Sequence, residues 1–236
     1  MGVLDSEGSG LTPGRESDRS RSVDATDSIG QLGNALKRFE VRTGTAECGW
    51  CEFSVRLGDD SWSCNASYIS DHPLNPLIHS AVDLYNHIFE NPIPIENAVW
   101  DSLAADEPGG IVIRATPEGE CLRVRIYRYD EVHFWGGDTT TLPEIQPAAE
   151  GLVDYWAYAD AIVEDGARAI ARQGITGLRN GWQHCRWDID AHFEVLPVEH
   201  FLYLAALVKY RAPKVGMNLE EELLLLRGIQ AEYSGT

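Results

Sequence analysis

The pattern of apolar and polar positions first follows the period of a β-strand. From Cys51 to Leu57 every second residue is apolar, as in a strand with one buried face. The turn at 58–60 and a second alternating stretch after it predict a hairpin. Three further short stretches of this kind follow, at 111–115, 122–126 and 131–135. Because parallel strands need long crossovers, the short turns predict an antiparallel β-meander of about five or six strands.

Helical spacing of apolar residues replaces this alternation in four segments. One apolar stripe predicts a helix that starts near Asp71 and continues to Phe89. The other predicted helices run from about Glu150 to Gly174, from Pro197 to Tyr210, and onward from Asn218, where Asn218-Leu-Glu-Glu221 is a capping box. The predicted class is therefore α+β, with the helices packed mainly on one face of the antiparallel meander.

The domain organisation follows from where large apolar residues begin. Residues 1–35 are rich in Ser, Gly and Asp and have almost no large apolar residue, so burial cannot offset their ordering entropy. We predict a disordered N-terminal arm at 1–35 and a single α+β domain with C-terminal helices at 36–236. The longest apolar run, Phe201–Val208, is far shorter than the roughly 20 residues of a membrane-spanning helix. No signal peptide is predicted, and we expect a cytoplasmic protein.

The net charge is the strongest global feature of the sequence. There are 37 acidic residues and 19 Lys or Arg residues, a formal charge of −18, which argues against binding to nucleic acids or anionic membranes. Nine acids and no Lys or Arg occur from Leu57 to Ile113, and the same is true from Tyr129 to Ala167. These segments predict a broad negative surface, which either serves solubility alone or steers a basic protein partner to the domain.

Acids at predicted turns and strand ends are the candidate partner-binding residues. They are Asp59, Asp60, Asp106, Glu107, Asp130, Glu131 and Asp138. Their common feature is a position inside one of the two base-free segments, at the end of an element, where we expect side chains to reach solvent. A basic protein, such as a toxin with a basic cleft, is the partner that this charge favours.

Cys48 and Cys51 raise the question of redox or metal chemistry. A thioredoxin-type pair needs a following helix to stabilise its thiolate, whereas a strand follows Cys51. Half a zinc site needs a second close pair, and the remaining candidates, Cys64, Cys121 and His184-Cys185, lack ligand spacing with one another. We interpret both cysteines as small buried residues, keep zinc as the alternative, and expect no cofactor.

A second candidate site is Asp188, Asp190 and His192, which share one side of the chain if it is extended. With His184 or Cys185 they form the basis of an alternative hypothesis, a metal-dependent enzyme. Three histidines of the first helix, at 72, 79 and 87, are interpreted as solvated surface residues. The common nucleotide-binding, hydrolase and protease motifs are absent from the sequence.

The last predicted helix has more leucine than a single buried stripe requires, with four in a row at Leu223–Leu226. We expect this helix to pack on the protein's own sheet. The alternative is docking to a partner or to a second copy, which would make the chain a structural or assembly subunit.

The passage Trp100-Asp-Ser-Leu-Ala-Ala-Asp-Glu-Pro-Gly109 is followed by a short strand, a Glu-Gly turn and Leu122–Ile126. In this it resembles bacterial α+β proteins with a tryptophan before a Glu-Pro-Gly turn, a hairpin and a long helix. Those proteins are similar to small proteins found beside polymorphic toxins, many of which are taken to be immunity proteins. The motif is Trp100, Glu107, Pro108 and Gly109, within a resemblance that covers about Cys51 to Ile170. It implies a binding protein with no active site of its own.

Overall fold

A computed structural model describes residues 36–67, 71–90, 99–106, 109–130, 145–183, 196–211 and 217–233. Ala35–Thr236 groups into one compact unit, and the predicted N-terminal arm lies outside the described residues. Antiparallel strands combined with helices confirm the predicted α+β class. None of the described helices has both the length and the apolar character needed to cross a membrane.

The described strands form two sheets. The first contains β1 (Phe39–Thr43), β2 (Trp50–Leu57) and β3 (Asp60–Ser67) in sequence order, and includes the predicted hairpin. Its inner residues are buried, because alternate positions of every strand face the core. The second sheet contains β4 (Trp100–Ala105), β5 (Gly110–Glu118), β6 (Cys121–Tyr129) and β7 (Ala149–Asp154), also in sequence order. The predicted strand at 131–135 lies outside the described residues.

Direct contacts connect the two sheets. At β3, the Cys64 thiol lies 3.8 Å from the Ala104 carbonyl oxygen, and the Asn65 N–H donates to Asp106 Oδ2 at 3.2 Å. Before β1, the Lys37 N–H donates to the Leu152 carbonyl of β7 at 2.7 Å. One apolar core consequently contains residues from both sheets and from all four helices.

Within the described ranges, four α-helices pack with these sheets: α1 (Leu74–Tyr85), α2 (Tyr155–Gln183), α3 (Val198–Tyr210) and α4 (Leu219–Tyr233). A π-helical turn, Asn86–Glu90, continues α1. The capping box of α4 is formed as predicted: the Glu221 N–H donates to Asn218 Oδ1 at 3.0 Å, and the Asn218 N–H donates to Glu221 Oε2 at 3.1 Å.

The prediction for the longest helix was wrong at both ends. Residues 149–154 pair with β6 as a strand, and the helix begins only after Asp154, whose Oδ1 accepts the Ala157 N–H at 3.0 Å. Gly174 does not end the helix. It takes non-helical angles (φ 68°, ψ 164°) that interrupt α2, and a second helical segment continues to Gln183.

Residues of α2 from Asp165 to Gly181 make polar contacts with the turn between β1 and β2, and we call these contacts the clasp. Asp165 accepts hydrogen bonds from the backbone N–H (3.1 Å) and the hydroxyl (2.9 Å) of Thr43. Arg172 donates to the carbonyls of Thr43 and Gly44, and the Gln173 amide bonds both the N–H and the carbonyl of Ala46. The Gly49 N–H donates to the Gly181 carbonyl at 2.9 Å. The clasp therefore satisfies the backbone of this turn.

Candidate functional site

Cys48 and Cys51 lie on a tight hairpin turn but in different environments. Glu47 and Trp50 exchange two backbone hydrogen bonds of 2.9 Å, while Cys48 and Gly49 between them have φ values of 51° and 78°. Positive φ at both central residues is the geometry of a type I′ turn. Cys51 is buried as expected, but Cys48 is exposed, so its interpretation as a buried residue was wrong. The turn gives the reason, because it projects from the end of the hairpin.

Cys51 lies beside a buried histidine in an arrangement that does not activate a thiol. The Cys51 Sγ is 3.9 Å from His72 Nε2, and His72 Nδ1 accepts the Leu74 N–H at 3.3 Å. The proton of the neutral imidazole is therefore on Nε2, which faces the sulfur. Burial raises the pKa of the Cys51 thiol to about 12 and lowers the pKa of His72 to about 3. A nucleophilic cysteine needs the opposite shifts.

The expected solvated face of histidines was wrong for His72. Its side chain is fully buried and packs edge-on against Trp182, with ring centroids 5.0 Å apart. His79 is half-buried, and its ring centroid lies 4.4 Å from that of His200. Among the described residues, no three His, Cys, Asp or Glu side chains form a group that could hold a metal ion. Asp188, Asp190 and His192 lie outside the described residues.

In the described part of the second base-free segment, several acids that the sequence predicts as uncompensated surface charge are ion-paired or buried. Arg123 and Arg125 hold Glu150 at 2.7 and 2.6 Å, and hydrogen bonds from both lower the pKa of its carboxyl. Two acids of α2 are also ion-paired, Asp160 with Arg211 at 2.8 Å and Glu164 with Arg168 one turn later. Asp165 is buried in the clasp. Arginines outside the segment thus pair with Glu150, Asp160 and Glu164, three of its described acids.

The candidate partner-binding acids fall into two separate groups. Asp106 and Asp130 lie at the same end of the four-stranded sheet, because Gly109 of the β4–β5 turn is packed against the Tyr129 carbonyl. Asp59 and Asp60 are exposed at the start of β3. Asp106 contacts Asn65, which is five residues after Asp60 on β3. At the rise of a β-strand, about 17 Å therefore separates the two groups. Glu107, Glu131 and Asp138 lie outside the described residues.

A groove at the helical side of the domain combines acidic and apolar side chains. It lies between α1, α3 and the start of α4, has a volume of about 350 Å³, and contains no Lys or Arg in its lining. Its lining residues are Val82, Glu199, His200, Leu202, Tyr203, Met217 and Glu222. No ion pair joins Glu199 or Glu222 to a base among the described residues. We call this the acidic groove.

A stripe of leucines on α4 continues the apolar surface of the groove. Leu219, Leu223 and Leu226 are spaced by four and three residues and therefore share one helical face, which we call the leucine stripe. Leu219 is 70% exposed and Leu223 is 42% exposed. Glu222 is three residues from Leu219 and four from Leu226, so it lies beside this stripe.

The expected packing of this helix on a sheet was wrong: α4 contacts α2 and α3 through Leu225 and Ile229 instead.

A larger cavity nearby is a less suitable binding site for a basic partner. It lies between α2, α3 and α4 and has a volume of about 480 Å³. Its acids include Asp160 and Glu164, which are already ion-paired, and Lys209 contributes a positive charge. Within the described residues, the smaller acidic groove differs from this cavity in having no Lys or Arg that compensates its negative charge.

Sequence reasoning did not find Glu199 and Glu222 as candidate residues. Both lie outside the two base-free segments, and α1, α3 and α4 come together only in the folded chain. The surplus leucines of the last helix were the available signal.

Comparison of the chain with family models, curated proteins and solved structures finds no match.

Proposed function

We propose that this chain is an acidic protein-binding protein, similar in role to an immunity protein, that occludes a basic partner such as a toxin. The acidic groove and the leucine stripe form its docking surface. The cytoplasm is the compartment in which we expect it to act.

The observation that carries this proposal is the uncompensated acidic groove. Glu199 and Glu222 flank an apolar floor that includes Val82 and Leu202, and no Lys or Arg lines the cavity. Elsewhere in the described residues, arginines pair with many surface acids. A surface that retains both apolar area and unpaired charge is typical of an interaction site.

The chemistry of the groove specifies the partner's docking element. Lys and Arg have apolar stems that can lie along the floor while their charged groups reach Glu199 and Glu222. The leucine stripe favours an element with an apolar face, so a basic amphipathic helix fits the combined surface. Exposed ion pairs contribute only about 0.2–1 kcal/mol each. We therefore infer that apolar contact provides most of the affinity, and that the acids provide orientation and a fast association rate.

Binding measurements with matched charge variants test the proposal. A partner is first captured from the native host at low salt, identified, purified and titrated against the full chain by calorimetry. We expect Glu199→Gln with Glu222→Gln to weaken binding about tenfold, about 1.4 kcal/mol. The control, Asp59→Asn with Asp60→Asn, removes the same charge outside the groove, and we expect an effect of less than about twofold.

Salt dependence provides the second criterion. Raising NaCl from about 50 to about 300 mM shortens the screening length, so association of the wild-type chain should slow. Two outcomes would reject the acidic groove as the docking surface. One is an equal loss of affinity in the groove variant and its control, and the other is an association rate that does not change with salt.

The exposed leucines also favour a second candidate function, a structural or assembly subunit that uses α4. Two copies meeting through this surface would bring Glu199 and Glu222 of each copy together, which is electrostatically unfavourable. The mass of the full chain in solution decides between the two. A concentration-dependent dimer that Leu223→Ser abolishes would support assembly.

The alternative of a metal-dependent enzyme stays a prediction, because Asp188, Asp190 and His192 lie outside the described residues. Metal analysis of the purified chain, together with thermal shifts on addition of zinc or manganese, tests it. Bound metal that is lost in Asp190→Asn would favour this alternative over the binding protein.

A further inference from the structure

The outer face of the three-stranded sheet has the opposite chemistry from the acidic groove. A concavity of about 410 Å³ lies on it, and its polar lining includes Arg42, Arg56, Ser54, Ser61 and Ser63. We call these five residues the arginine–serine face. They share one side of the sheet, because each alternates along its strand with inward-facing residues such as Val41 and Val55.

Strand register places the two arginines within reach of one ligand. Arg42 pairs with Ser54, and Arg56 lies two residues beyond Ser54 on the same strand. This diagonal relationship separates the two Cα atoms by about 7–8 Å, a gap that two long side chains can close. On β3, Ser63 is opposite Ser54 and Ser61 is opposite Arg56, so hydroxyl donors continue the row.

The pairing of the other arginines shows why these two are unusual. Among the described residues, most arginines bind a carboxylate or a backbone carbonyl, as Arg114 does with Asp101 at 2.7 Å and Arg179 with the Leu196 carbonyl at 3.0 Å. Neither Arg42 nor Arg56 has such a partner within the part of the chain that the structure describes, although the chain has nearly twice as many acids as bases. Their donors are therefore available to a ligand.

Two acids share this face of the sheet with the arginines. Glu40 lines the concavity, but Arg38 already binds its carboxylate at 2.6 Å. Glu52 is exposed on the same face, opposite Asn65. Asp165 lies behind the sheet, buried in the clasp, and Arg42 is close enough to lower the pKa of its carboxyl. On the face itself, Arg38, Arg42 and Arg56 therefore outnumber the half-buried Glu40 and the exposed Glu52. Asp59 and Asp60 are exposed at the end of the β2–β3 hairpin.

We propose that the arginine–serine face binds a small dianionic oxyanion of the phosphate-monoester class. Arg42 and Arg56 donate to the anionic oxygens, and the serine hydroxyls complete the hydrogen bonds. The planar guanidinium donates to two oxygens at once, which suits tetrahedral oxyanions. This site is independent of the acidic groove. The overall charge of −18 opposes any anion, so we expect dissociation constants near the millimolar range at moderate salt.

Titrations of the full chain, followed by backbone amide NMR shifts, test this site. The probes are inorganic phosphate and O-phosphoserine, with chloride at equal ionic strength as the reference. We expect saturable shifts at 42, 54–56 and 61–63 with both phosphate probes and none with chloride. Arg56→Gln should weaken binding by about tenfold or more.

Matched variants separate a local site from general electrostatics. Arg227→Gln removes the same charge from an exposed arginine on α4, and we expect less than a twofold change (roughly the effect of distant screened charges). Arg42→Gln is a less clean test than Arg56→Gln, because the charge of Arg42 also lowers the pKa of Asp165. Shifts that fail to saturate would overturn the proposal, as would a loss of affinity in Arg227→Gln equal to that in Arg56→Gln. Tighter binding of a single-stranded oligonucleotide than of O-phosphoserine would also overturn it and assign the face to nucleic acid.

Discussion

The clasp and the acidic groove differ in how far each satisfies its own polar groups. In the clasp, Asp165, Arg172 and Gln173 bind the backbone of the β1–β2 turn, and few donors or acceptors are left for a partner. In the groove, no described Lys or Arg lies beside Glu199 and Glu222, and the adjacent Leu219 and Leu223 are exposed. We therefore expect the first region to contribute to stability, and we propose that the apolar area and charge of the second region contact a partner.

This difference shows why local composition alone is a poor guide to function. The clasp contains a buried carboxyl, and the nearby Cys51–His72 pair adds a cysteine and a histidine; these residue types are often found in active sites. Their contacts make them structural. The groove contains ordinary glutamates and aliphatic residues, and only the missing counter-charges distinguish it. Substitutions in the clasp should change stability and those in the groove should change binding.

The largest effect is expected for Gly181→Ala in the clasp. A Cβ at Gly181 would collide with the Ala46 carbonyl, which is backbone and cannot easily move. We expect a loss of about 3 kcal/mol or more in the free energy of unfolding, measured by urea denaturation. Gly177→Ala is the control in the same helical segment, because its Cβ would meet only the Gln173 Cβ at 3.5 Å. It should be neutral or stabilising by up to about 1 kcal/mol. Equal stabilities of the two variants would contradict the structural role of the clasp.

The next largest effect concerns the pH dependence of stability. Burial raises the pKa of Asp165 to about 6 despite opposing hydrogen bonds from Thr43 and the charges of Arg42 and Arg172. Since the folded state holds this proton more tightly than the unfolded state, the contribution of Asp165 is greatest below about pH 4. It is lost as pH rises through about 6, and the total change is on the order of 2–3 kcal/mol.

Asp165→Asn isolates this contribution. Asparagine keeps an acceptor for the Thr43 N–H and adds a donor for its hydroxyl, without the cost of burying a charge. Relative to wild type, the variant should therefore become more stable as pH rises from about 4 to about 7. Urea denaturation at several pH values measures this difference, and a difference that stays constant with pH would contradict the raised pKa.

A smaller effect, on affinity alone, is expected in the leucine stripe. Leu219→Ser with Leu223→Ser should weaken binding of a basic partner about tenfold through lost apolar contact. Unfolding free energy should change by less than about 0.5 kcal/mol, because both side chains are exposed. Leu225→Ser provides the contrast: this leucine is 6% exposed, so its replacement should destabilise the domain by about 2 kcal/mol or more. Unchanged affinity in the double variant would remove the stripe from the docking surface.

The smallest effect distinguishes the two cysteines of the hairpin. Cys48 is exposed and should react readily with iodoacetamide in the folded protein. Cys51 is buried and its raised pKa disfavours the thiolate, so it should react at least about tenfold more slowly until the chain unfolds. Peptide mass spectrometry after timed alkylation measures both rates. Similar rates in the folded chain would contradict the packing of Cys51 beside His72.

The sequence predicted those elements whose signals are local. The β2–β3 hairpin and the Asn218–Glu221 capping box were found because alternation and cap spacing involve neighbouring residues. The prediction of a helix was wrong at 149–154, where pairing with β6 overrides the apolar spacing that suggested a helix. The predicted strand at 131–135 lies outside the described residues.

The candidate site was less accessible from the sequence because it depends on long-range contacts. Arg123 and Arg125 approach Glu150 only through the β6–β7 register, so a base-free segment is not necessarily a base-free surface. Glu199 and Glu222 approach one another only when α3 and α4 pack beside α1. The charge count led to our proposal for the kind of partner, and the packing of α3 and α4 beside α1 led to our proposal for its docking surface.

Hydrogen–deuterium exchange of the full chain tests the docking surface most directly. The probe is a synthetic amphipathic peptide of about 18 residues with Lys and Arg on one face and Leu on the other, long enough for about five helical turns. We expect the peptide to slow exchange at 198–204 and 217–226, and this protection to disappear in Glu199→Gln with Glu222→Gln. Protection centred on the turn at 58–60, or protection that is identical in wild type and variant, would contradict a docking role for the acidic groove.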